Sequence, residues 1–421
     1  MKRVYIIAAL MFLLLITLIG CNRDEEIPAM TAEEITATLQ NIPDLPFGEA
    51  SNAMSYFSQE LFLQVLAIGE NNAVISPISA YYALAMVALG AGGDTLQEFQ
   101  TVLGIAPEDL APQLHYLSQA LMSVGGSTKL NLAASVWVAD NPLRDLTTNY
   151  YFNRAMLAYF DAYARIRNFL DTTTIDEINT WISDQTQGLI DEAISEIDPD
   201  AIMLLVNTVY LSARWASAFN PMIESVSTFY LESGEPLEVP FLSTNTRTLF
   251  AISVTDYYEA VLLPYNDGRL GFFLVRPTDG TTIRDFVATH DLVGILGELE
   301  DHHGVQVQMP KLDKEFDIKM NEQLQTMGLE LAFDEVLSVL SGLVEEDMIH
   351  PIYISRVHQA VRIRVCADGT EAAVVTTVEA VVEDSIFWPI ELNFNTPYVY
   401  MIYDFQTGAI LFMGVVDNPV G

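Results

Sequence analysis

Cysteine and histidine, the residue types most specific for nucleophilic catalysis and metal binding, are few and scattered in this sequence. It contains two cysteines, Cys21 and Cys366, and six histidines. None of the histidines has HExxH spacing, and there is no CxxC pair, GxSxG elbow, P-loop or GxGxxG motif. Asp and Glu total 56, so two carboxylates close in sequence carry little specificity for acid–base catalysis. We therefore expect no enzyme activity, no metal site and no cofactor.

The charge balance excludes a large class of partners. Lys and Arg total 19 against 56 Asp and Glu, for a formal net charge of −37, and 51% of the 421 residues are hydrophobic. The apolar content is sufficient for a large folded core, whereas the negative surface repels phosphate backbones. We expect a globular protein that binds no nucleic acid.

The N-terminus has the pattern of a lipoprotein export signal. Lys2 and Arg3 precede an apolar run over residues 4–19, which is short for a membrane span and typical of a signal peptide. The run leads into Leu-Ile-Gly-Cys, the pattern of a bacterial lipobox, in which cleavage precedes the cysteine and its sulfur is acylated. Residues 1–20 are thus predicted to be the signal peptide and Cys21 the lipidation site. The alternatives are an uncleaved membrane anchor and a chance cysteine.

Lipidation would determine where the mature chain acts. Two or three acyl chains hold a protein stably on a membrane. We therefore expect a protein of the cell envelope, anchored through Cys21 on the outer face of a bacterial membrane, or an extracellular one. Residues 21–50 are acidic and contain three prolines, which predicts a tether between the lipid and the folded domain.

Apolar periodicity begins at Ser51 and indicates one folded domain over residues 51–421. Helical spacing comes first, and an Ala- and Leu-rich helix is predicted to follow Ser76 as its N-cap. Later apolar runs, such as residues 201–211 and 398–402, predict buried strands. Helices first and strands later favour a large α+β domain with mixed sheets.

The most informative stretch lies near the C-terminus, over residues 369–382. It is rich in small and β-branched residues, lacks proline, directly follows a strand pattern and ends in Glu383, Asp384 and Ser385. It could be an ordinary edge hairpin. It could also be a loop held outside a sheet that is able to become one of its central strands, because small side chains fit between existing strands.

Seven segments of the sequence together resemble one known protein family. They are residues 72–79 (NAVISPIS), 84–90 (LAMVALG), 205–215 (LVNTVYLSARW), 307–311 (VQMPK), 368–373 (DGTEAA), 394–397 (FNTP) and 410–414 (ILFMG). Each is a weak match alone, but their order and spacing are specific. The chain resembles the serpins, a family of serine protease inhibitors, over about residues 51–421.

The resemblance implies an α+β serpin fold. Helices would surround a large mixed central β-sheet with smaller sheets beside it, and an exposed reactive loop would occupy about residues 369–390. It also implies suicide-type inhibition, in which a serine protease, or a cysteine protease, cleaves the loop and forms an acyl-enzyme. The freed loop then enters the central sheet as an extra strand and carries the trapped protease along. The alternative on the same fold is a non-inhibitory surface binding protein.

The resemblance also places the hinge of the reactive loop. Its residues are Gly369, Thr370, Glu371, Ala372 and Ala373. After insertion, Thr370 and every second residue to Val378 would face the core, and all of these are uncharged, while Glu371 and Glu379 would face the other way. Because an unpaired charge is costly to bury, this pattern favours an inhibitor.

A polar cluster beneath the opening strands, called the shutter, also carries over by position. Ser76, Ser79 and Asn207 match three of its members. The family often places a histidine ten residues before the hinge glycine, where this chain has Gln359, whose amide can both donate and accept. His358 lies one residue early and would face the opposite side of its strand. We therefore assign the role to Gln359.

Trp215 matches the aromatic residue at the breach, where the loop first enters the sheet. The family often has a glutamate two residues before the hinge glycine, but this chain has Ala367. How the base of the loop is anchored is therefore an open question.

The expected partner is a target serine protease, held in a covalent acyl complex by a monomeric inhibitor. Some serpins are accelerated by heparin through a basic helix in the N-terminal third of the chain. Here no Lys or Arg occurs over residues 24–128, and the net charge of −37 repels sulfated sugars. We therefore expect no acceleration by heparin.

The hinge also predicts the reactive bond. In inhibitory serpins the residue before this bond lies about fourteen after the hinge glycine, at Glu383 here, and a serine often follows the bond, which would shift it to between Asp384 and Ser385. Either bond presents a carboxylate to the specificity pocket of the protease. We therefore expect Glu- or Asp-specific proteases to be preferred over trypsin-like ones. The loop is longer than in compact members, and extra residues before the bond would make Ile386 or Phe387 the bait.

Mass spectrometry of the small C-terminal fragment released from the protease complex locates this bond. We expect a fragment that begins at Asp384 or Ser385. A fragment that begins at Phe387 or Trp388 would contradict the acidic bait and indicate chymotrypsin- or elastase-like targets.

Overall fold

A computed structural model describes most of the predicted domain. The described residues are 48–69, 71–140, 147–162, 164–217, 219, 225–244, 248–345, 351–370 and 390–420. Within these ranges, no helix is both long and apolar enough to cross a bilayer.

Nine α-helices lie in the described part of the chain. In order, α1 to α9 are Gly48–Leu66, Pro77–Ala88, Gly93–Leu103, Pro107–Met122, Tyr150–Phe160, Thr172–Gln185, Ile283–Thr289, Leu292–Gly297 and Asn321–Thr326. The six longest helices come first, as the apolar periodicity predicts. Helix α2 begins at Pro77, whose fixed φ suits a first turn, and Ser76 holds the N-cap position without a side-chain capping bond.

Eighteen strands lie in the same ranges and form two large sheets and one short pair. In order, β1 to β18 are Val74–Ile75, Lys129–Ala139, Thr147–Thr148, Ala164–Arg167, Met203–Arg214, Ser225–Tyr230, Pro236–Ser243, Thr248–Val254, Tyr258–Pro264, Leu270–Pro277, Glu300–Pro310, Leu312–Lys319, Val344–Glu345, Arg356–Cys366, Gly369–Thr370, Ile390–Asn393, Tyr398–Asp404 and Ala409–Val416. The larger sheet has ten strands in the order β1-β18-β17-β10-β9-β8-β11-β7-β6, with β16 paired to β11.

The second sheet, called the central sheet here, has six strands in the order β12-β14-β15-β5-β2-β4. It is mixed, because β14 is parallel to β5 and β2 is parallel to β4, whereas its other pairings are antiparallel. The third strand in this order, β15, begins the segment for which the sequence allowed either an edge hairpin or an exposed loop. Gly369 and Thr370 are therefore already part of the sheet, in its interior rather than at an edge.

The central sheet is covered on both faces. Its core face packs on α2, all twelve residues of which are buried. Its outer face packs on α6, where Ile178 and Ile182 contact Trp137, Leu204 and Val206 in a separate apolar cluster. Full burial of each such side chain stabilises the fold by about 1.5–3 kcal/mol. The linker of residues 186–202 leads from α6 back into β5.

Candidate functional site

The candidate site is a gap between the parallel strands β14 and β5. These strands pair directly over only four residues each, 356–359 and 204–207. At the other end β15 lies between them, with Thr370 opposite Val365 of β14 and Ala213 of β5. Between these two ends, within the described chain, β14 and β5 have no direct ladder pairs. The gap is thus closed at the end formed by residues 356–359 and 204–207. At its other end it is already occupied by the short antiparallel strand β15.

The four residues predicted for the shutter form a hydrogen-bonded cluster at the closed end of the gap, where β14 and β5 pair directly. Nε2 of Gln359 lies 2.6 Å from Oδ1 of Asn207, 2.8 Å from Oγ of Ser79 and 2.9 Å from the carbonyl oxygen of Ser76. Its Oε1 accepts from the backbone N–H of Ser76 at 2.9 Å. The Ser79 hydroxyl donates to Asn207 Oδ1 at 2.6 Å. All four residues are fully buried, and Gln359 is at the centre.

The shutter cluster opposes separation of the two strands. Gln359 belongs to β14, Asn207 to β5, and Ser76 and Ser79 to the start of α2. Because a buried amide that loses its hydrogen bonds costs about 1–3 kcal/mol, pulling Gln359 away from Asn207 is unfavourable until another strand replaces the lost partners. Ser76 contributes through its backbone, since its hydroxyl has no hydrogen-bond partner among the described residues.

His358 lies on the outer face of the same strand, opposite in direction to Gln359. It is 2% exposed, and its Nε2 lies 3.4 Å from Oδ1 of Asp317 on β12. Burial, together with the positive charges of Arg356 and Lys319, lowers the pKa of His358 to about 4. The imidazole is therefore neutral at pH 7.

An aromatic stack lies at the end of the gap that holds β15, where the breach was predicted. The indole of Trp215 stacks on the ring of Tyr265 with centroids 4.6 Å apart and an angle of 9° between planes. Its Nε1 donates to the carbonyl of Cys366 at 3.0 Å. The hydroxyl of Tyr265 lies 2.5 Å from Oγ1 of Thr370, and burial raises the pKa of this phenol, so it stays protonated.

Tyr265 belongs to this stack, and the sequence reasoning missed it. It follows β9 directly and precedes Asn266, Asp267 and Gly268, a turn signal that indicates a hairpin. That signal places Tyr265 at a strand end but does not reveal that its hydroxyl meets Thr370, which is 105 residues away.

The base of the loop is anchored through its backbone, which answers the question that Ala367 left open. The Ala367 carbonyl accepts from the N–H of Phe219 at 3.0 Å, and the Asp368 carbonyl accepts from the N–H of Trp215 at 3.1 Å. Gly369 is required by close approach, because a Cβ there would lie 2.8 Å from the Arg214 Cα and closer still to a carbonyl oxygen of β5. No side-chain carboxylate is needed for this anchoring.

Several predicted site residues lie outside the described residues. They are Cys21, the hinge residues Glu371, Ala372 and Ala373, and the reactive-bond residues Glu383, Asp384 and Ser385.

Comparison with known proteins identifies the architecture. The model of the family described as Serpin (serine protease inhibitor) matches residues 52–419. An uncharacterized serpin-like protein of Thermococcus kodakarensis is 30% identical over 389 residues, which cover 87% of this chain and 85% of the relative. Glia-derived nexin of Rattus norvegicus is 27% identical over 363 residues, covering 83% of this chain and 88% of the nexin.

A solved structure agrees with these relatives. The crystal structure of tengpin, a thermophilic serpin, in the native state matches with a TM-score of 0.79 and 27% identity, covering 87% of this chain and 93% of tengpin. The serpin fold predicted from the seven sequence segments is thus confirmed.

The position of Thr370 inside the sheet changes the expected effect of a charged substitution at the hinge. A loop wholly outside the sheet would leave the intact fold unaffected by Thr370→Arg, but Thr370 is only 2% exposed. The guanidinium must either be buried unpaired or expel β15. We expect Thr370→Arg to lower the Tm of the intact protein by about 2 °C or more, measured by scanning calorimetry. Thr370→Ser, which keeps the hydroxyl, is the control, and equal Tm values for Thr370→Arg and wild type would contradict the placement of β15.

The pKa of His358 predicts an acid-dependent loss of stability. Between pH 6.5 and about 4 the unfolded chain binds a proton that the folded protein does not, so stability falls as the pH falls through this window. By pH 4.5 the loss is roughly 2 kcal/mol. We expect His358→Gln to lose less stability than wild type when the pH falls. The measurement is the Tm of both proteins between pH 7 and 4.5.

Asp317 titrates in the opposite sense, because burial raises its pKa to about 6; its contribution to stability therefore grows as the pH falls. Because Asp317 lies 3.4 Å from His358, the comparison is repeated with Asp317→Asn in both proteins, which removes its titration. His290→Gln, at the partly exposed end of α7, is the matched control. If Tm falls equally with pH in wild type and in His358→Gln, the lowered pKa of His358 is refuted.

Proposed function

The chain belongs to the serpin family, and on that premise we propose that it is an inhibitory member. It traps a serine protease, or a cysteine protease, by inserting its cleaved reactive loop into the central sheet. The chain supplies the scissile peptide and the strand, whereas the attacking nucleophile belongs to the protease. The observation that carries the proposal is β15, which starts an antiparallel strand between β14 and β5.

The observed register gives a residue-by-residue path for insertion. Continuing from Thr370 opposite Val365 and Ala213, residues 371–375 come to lie opposite residues 364–360 of β14 and 212–208 of β5. Those are the stretches without direct β14–β5 pairs. Insertion of the first five loop residues therefore breaks no existing ladder pair.

The next four residues meet the closed end. In the same register residues 376–379 lie opposite residues 359–356, so each displaces one of the four direct β14–β5 pairs. The first pair to separate is Gln359 and Asn207, the centre of the shutter cluster. Each displaced pair of a parallel ladder is exchanged for pairing with an antiparallel strand on both sides, and antiparallel pairing is slightly more stable per residue.

Full insertion moves the reactive bond to the far end of the sheet. In this register Glu383 comes to lie beyond Arg356, the first residue of β14. Nine residues of extended chain from 371 to 379 alone span about 30 Å. A protease acylated at Glu383 or Asp384 would be carried over that distance, which separates it from the released amine of the C-terminal fragment.

The inward face of the inserting strand suits the core face of the sheet. Ala372, Val374 and Val378 are apolar and Thr376 is uncharged. Thr376 would take the position opposite Gln359, where a hydroxyl can replace a lost amide partner. These features support inhibition over a non-inhibitory binding role on the same fold.

We also propose the location and partners of the mature protein. The lipobox supports acylation at Cys21, attachment to the outer face of a bacterial membrane, and inhibition of proteases outside the cell. The absence of Lys and Arg over residues 24–128 supports an inhibitor that heparin does not accelerate. We expect this inhibitor to act as a monomer.

Incubation with a panel of proteases tests the proposed function. We expect an SDS-stable adduct with at least one Glu- or Asp-specific serine protease, and no adduct with that protease inactivated at its serine. Cleavage in the loop should raise Tm sharply, although a nick normally destabilises a protein, because the loop then adds a strand. A cleaved form that melts at or below the intact one would contradict insertion, and cleavage with a raised Tm but without an adduct would indicate a substrate-like relative.

A further inference from the structure

A polar cavity lies at the closed end of the gap, where β14 and β5 begin. Its volume is about 490 Å³, within the range of about 300–1,000 Å³ that is typical of small-molecule sites. Its lining combines the buried apolar side chains of Leu204 and Ile354 with charged ones. The charged side chains that line it, among the described residues, are Asp198, Asp200, Lys319, Glu335 and Arg356.

The charges that line this cavity do not neutralise one another. Across the described ranges, no carboxylate lies within ion-pair distance of Arg356 or Lys319. In a chain with 19 basic and 56 acidic residues, two cations without such a partner are unusual. Arg356 donates from Nη1 to the carbonyl of Glu196 at 3.1 Å, and a guanidinium has five N–H donors. Both cations therefore retain donors for a ligand.

Charges of opposite sign lie on different sides of the cavity. Both cations lower the pKa of His358 and therefore lie near each other, at the end of β12 and the start of β14. Burial raises the pKa of Tyr353, which lines the cavity, and the negative charges of Glu335 and Asp198 act in the same direction. These carboxylates therefore lie beside the phenol, which stays protonated at pH 7.

Such a lining favours a ligand that carries one charge of each sign. A simple anion would meet three carboxylates and a simple cation two basic side chains, whereas a zwitterion can pair with both sides. The charged ends of an extended peptide of two or three residues are about 7–10 Å apart. The peptide groups between them can bond the amide of Gln325 and the hydroxyl of Tyr353, which also line the cavity.

We propose that this cavity binds a short peptide of two or three residues. Its free carboxylate pairs with Arg356 and Lys319, and its ammonium group pairs with the carboxylates beside Tyr353. The site uses only side chains that are already in place in the intact protein.

The cavity also spans the line along which the proposed insertion separates the two strands. Arg356 and Leu204 form the direct β14–β5 pair that is farthest from β15, and both line the cavity. Beside them, the backbone N–H of Ser355 donates to the carbonyl of Met203 at 2.9 Å. A peptide held by Arg356 on one side and Asp198 on the other would stabilise the closed sheet, because a ligand favours the state that keeps its partners together. This effect on insertion rests on the proposed function, whereas the binding does not.

Titration calorimetry of the full-length protein with triglycine tests the site. We expect saturable binding at one site, weakened about tenfold or more for N-acetyltriglycine, which lacks the ammonium group, and for triglycine amide, which lacks the carboxylate. Arg356→Gln and Glu335→Gln should each weaken triglycine binding by about tenfold, the loss expected of one charge-assisted hydrogen bond. Arg362→Gln, on the same face of β14 but outside the lining, is the matched control and should bind as wild type does.

Two results would overturn the site. They are no saturable binding of triglycine to wild type, and equal binding of triglycine and its two blocked analogues. The second comparison needs only the wild-type protein, so it decides the question even where a variant fails to fold.

The effect on insertion has its own measurements. With saturating triglycine we expect the Tm of the intact protein to rise and the stoichiometry of inhibition to increase about twofold or more, with no such increase in Arg356→Gln. The loop-cleaved form should bind triglycine about tenfold more weakly than the intact form. Equal binding to the two forms would contradict the coupling and leave the site standing. If wild type forms no adduct with any protease, the proposed function fails, and calorimetry on the intact protein still decides the site.

Discussion

The structure depends on a parallel pair of strands that is joined over only four residues. A strand can enter between two parallel neighbours and run antiparallel to both, which replaces one ladder by two. The proposed insertion would therefore exchange partners at residues 356–359 of β14 and 204–207 of β5, where the two strands pair directly. The ladders that flank this pair are longer, with eight pairs between β12 and β14 and ten between β2 and β5.

Opposite chemistries line the two faces of that gap. On the core face, the amides of Gln359 and Asn207 bond each other and the start of α2 in a fully buried cluster. Such a cluster is stable when every member is satisfied and costly when one is not, so it makes separation an all-or-none event. On the outer face, arginines and carboxylates stay partly hydrated, and their pairing energies are small individually.

At the end of the gap that holds β15, the base of the loop is anchored without the glutamate that is frequent in the family. This chain has Ala367 where a glutamate is frequent, and backbone carbonyls of the loop base accept from Trp215 and Phe219 instead. Backbone bonds hold the chain close to β5, which is why position 369 cannot carry a Cβ. The stack of Trp215 on Tyr265 then presents a phenol to Thr370. The entrance of the gap is thus closed by backbone bonds and one buried hydroxyl pair.

The sequence by itself determined the class and connectivity of the fold. Apolar periodicity is a local property, so it predicted early helices, later buried strands and the start of α2 at Pro77. The order of seven short segments predicted the serpin fold, and the alternation of charge after Gly369 predicted which loop residues face inward. The choice of Gln359 over His358 combined the family's spacing from the hinge glycine with the two-residue period of a strand.

Only the tertiary structure decided what those elements touch. That Thr370 lies inside the sheet, that Tyr265 bonds it, and that β14 and β5 pair over four residues depend on contacts between segments about 100 or more residues apart. The register of β15 between β14 and β5 also required coordinates. Local patterns give the face of a side chain but not its partner, because a partner depends on where a distant strand lies and where its ladder ends.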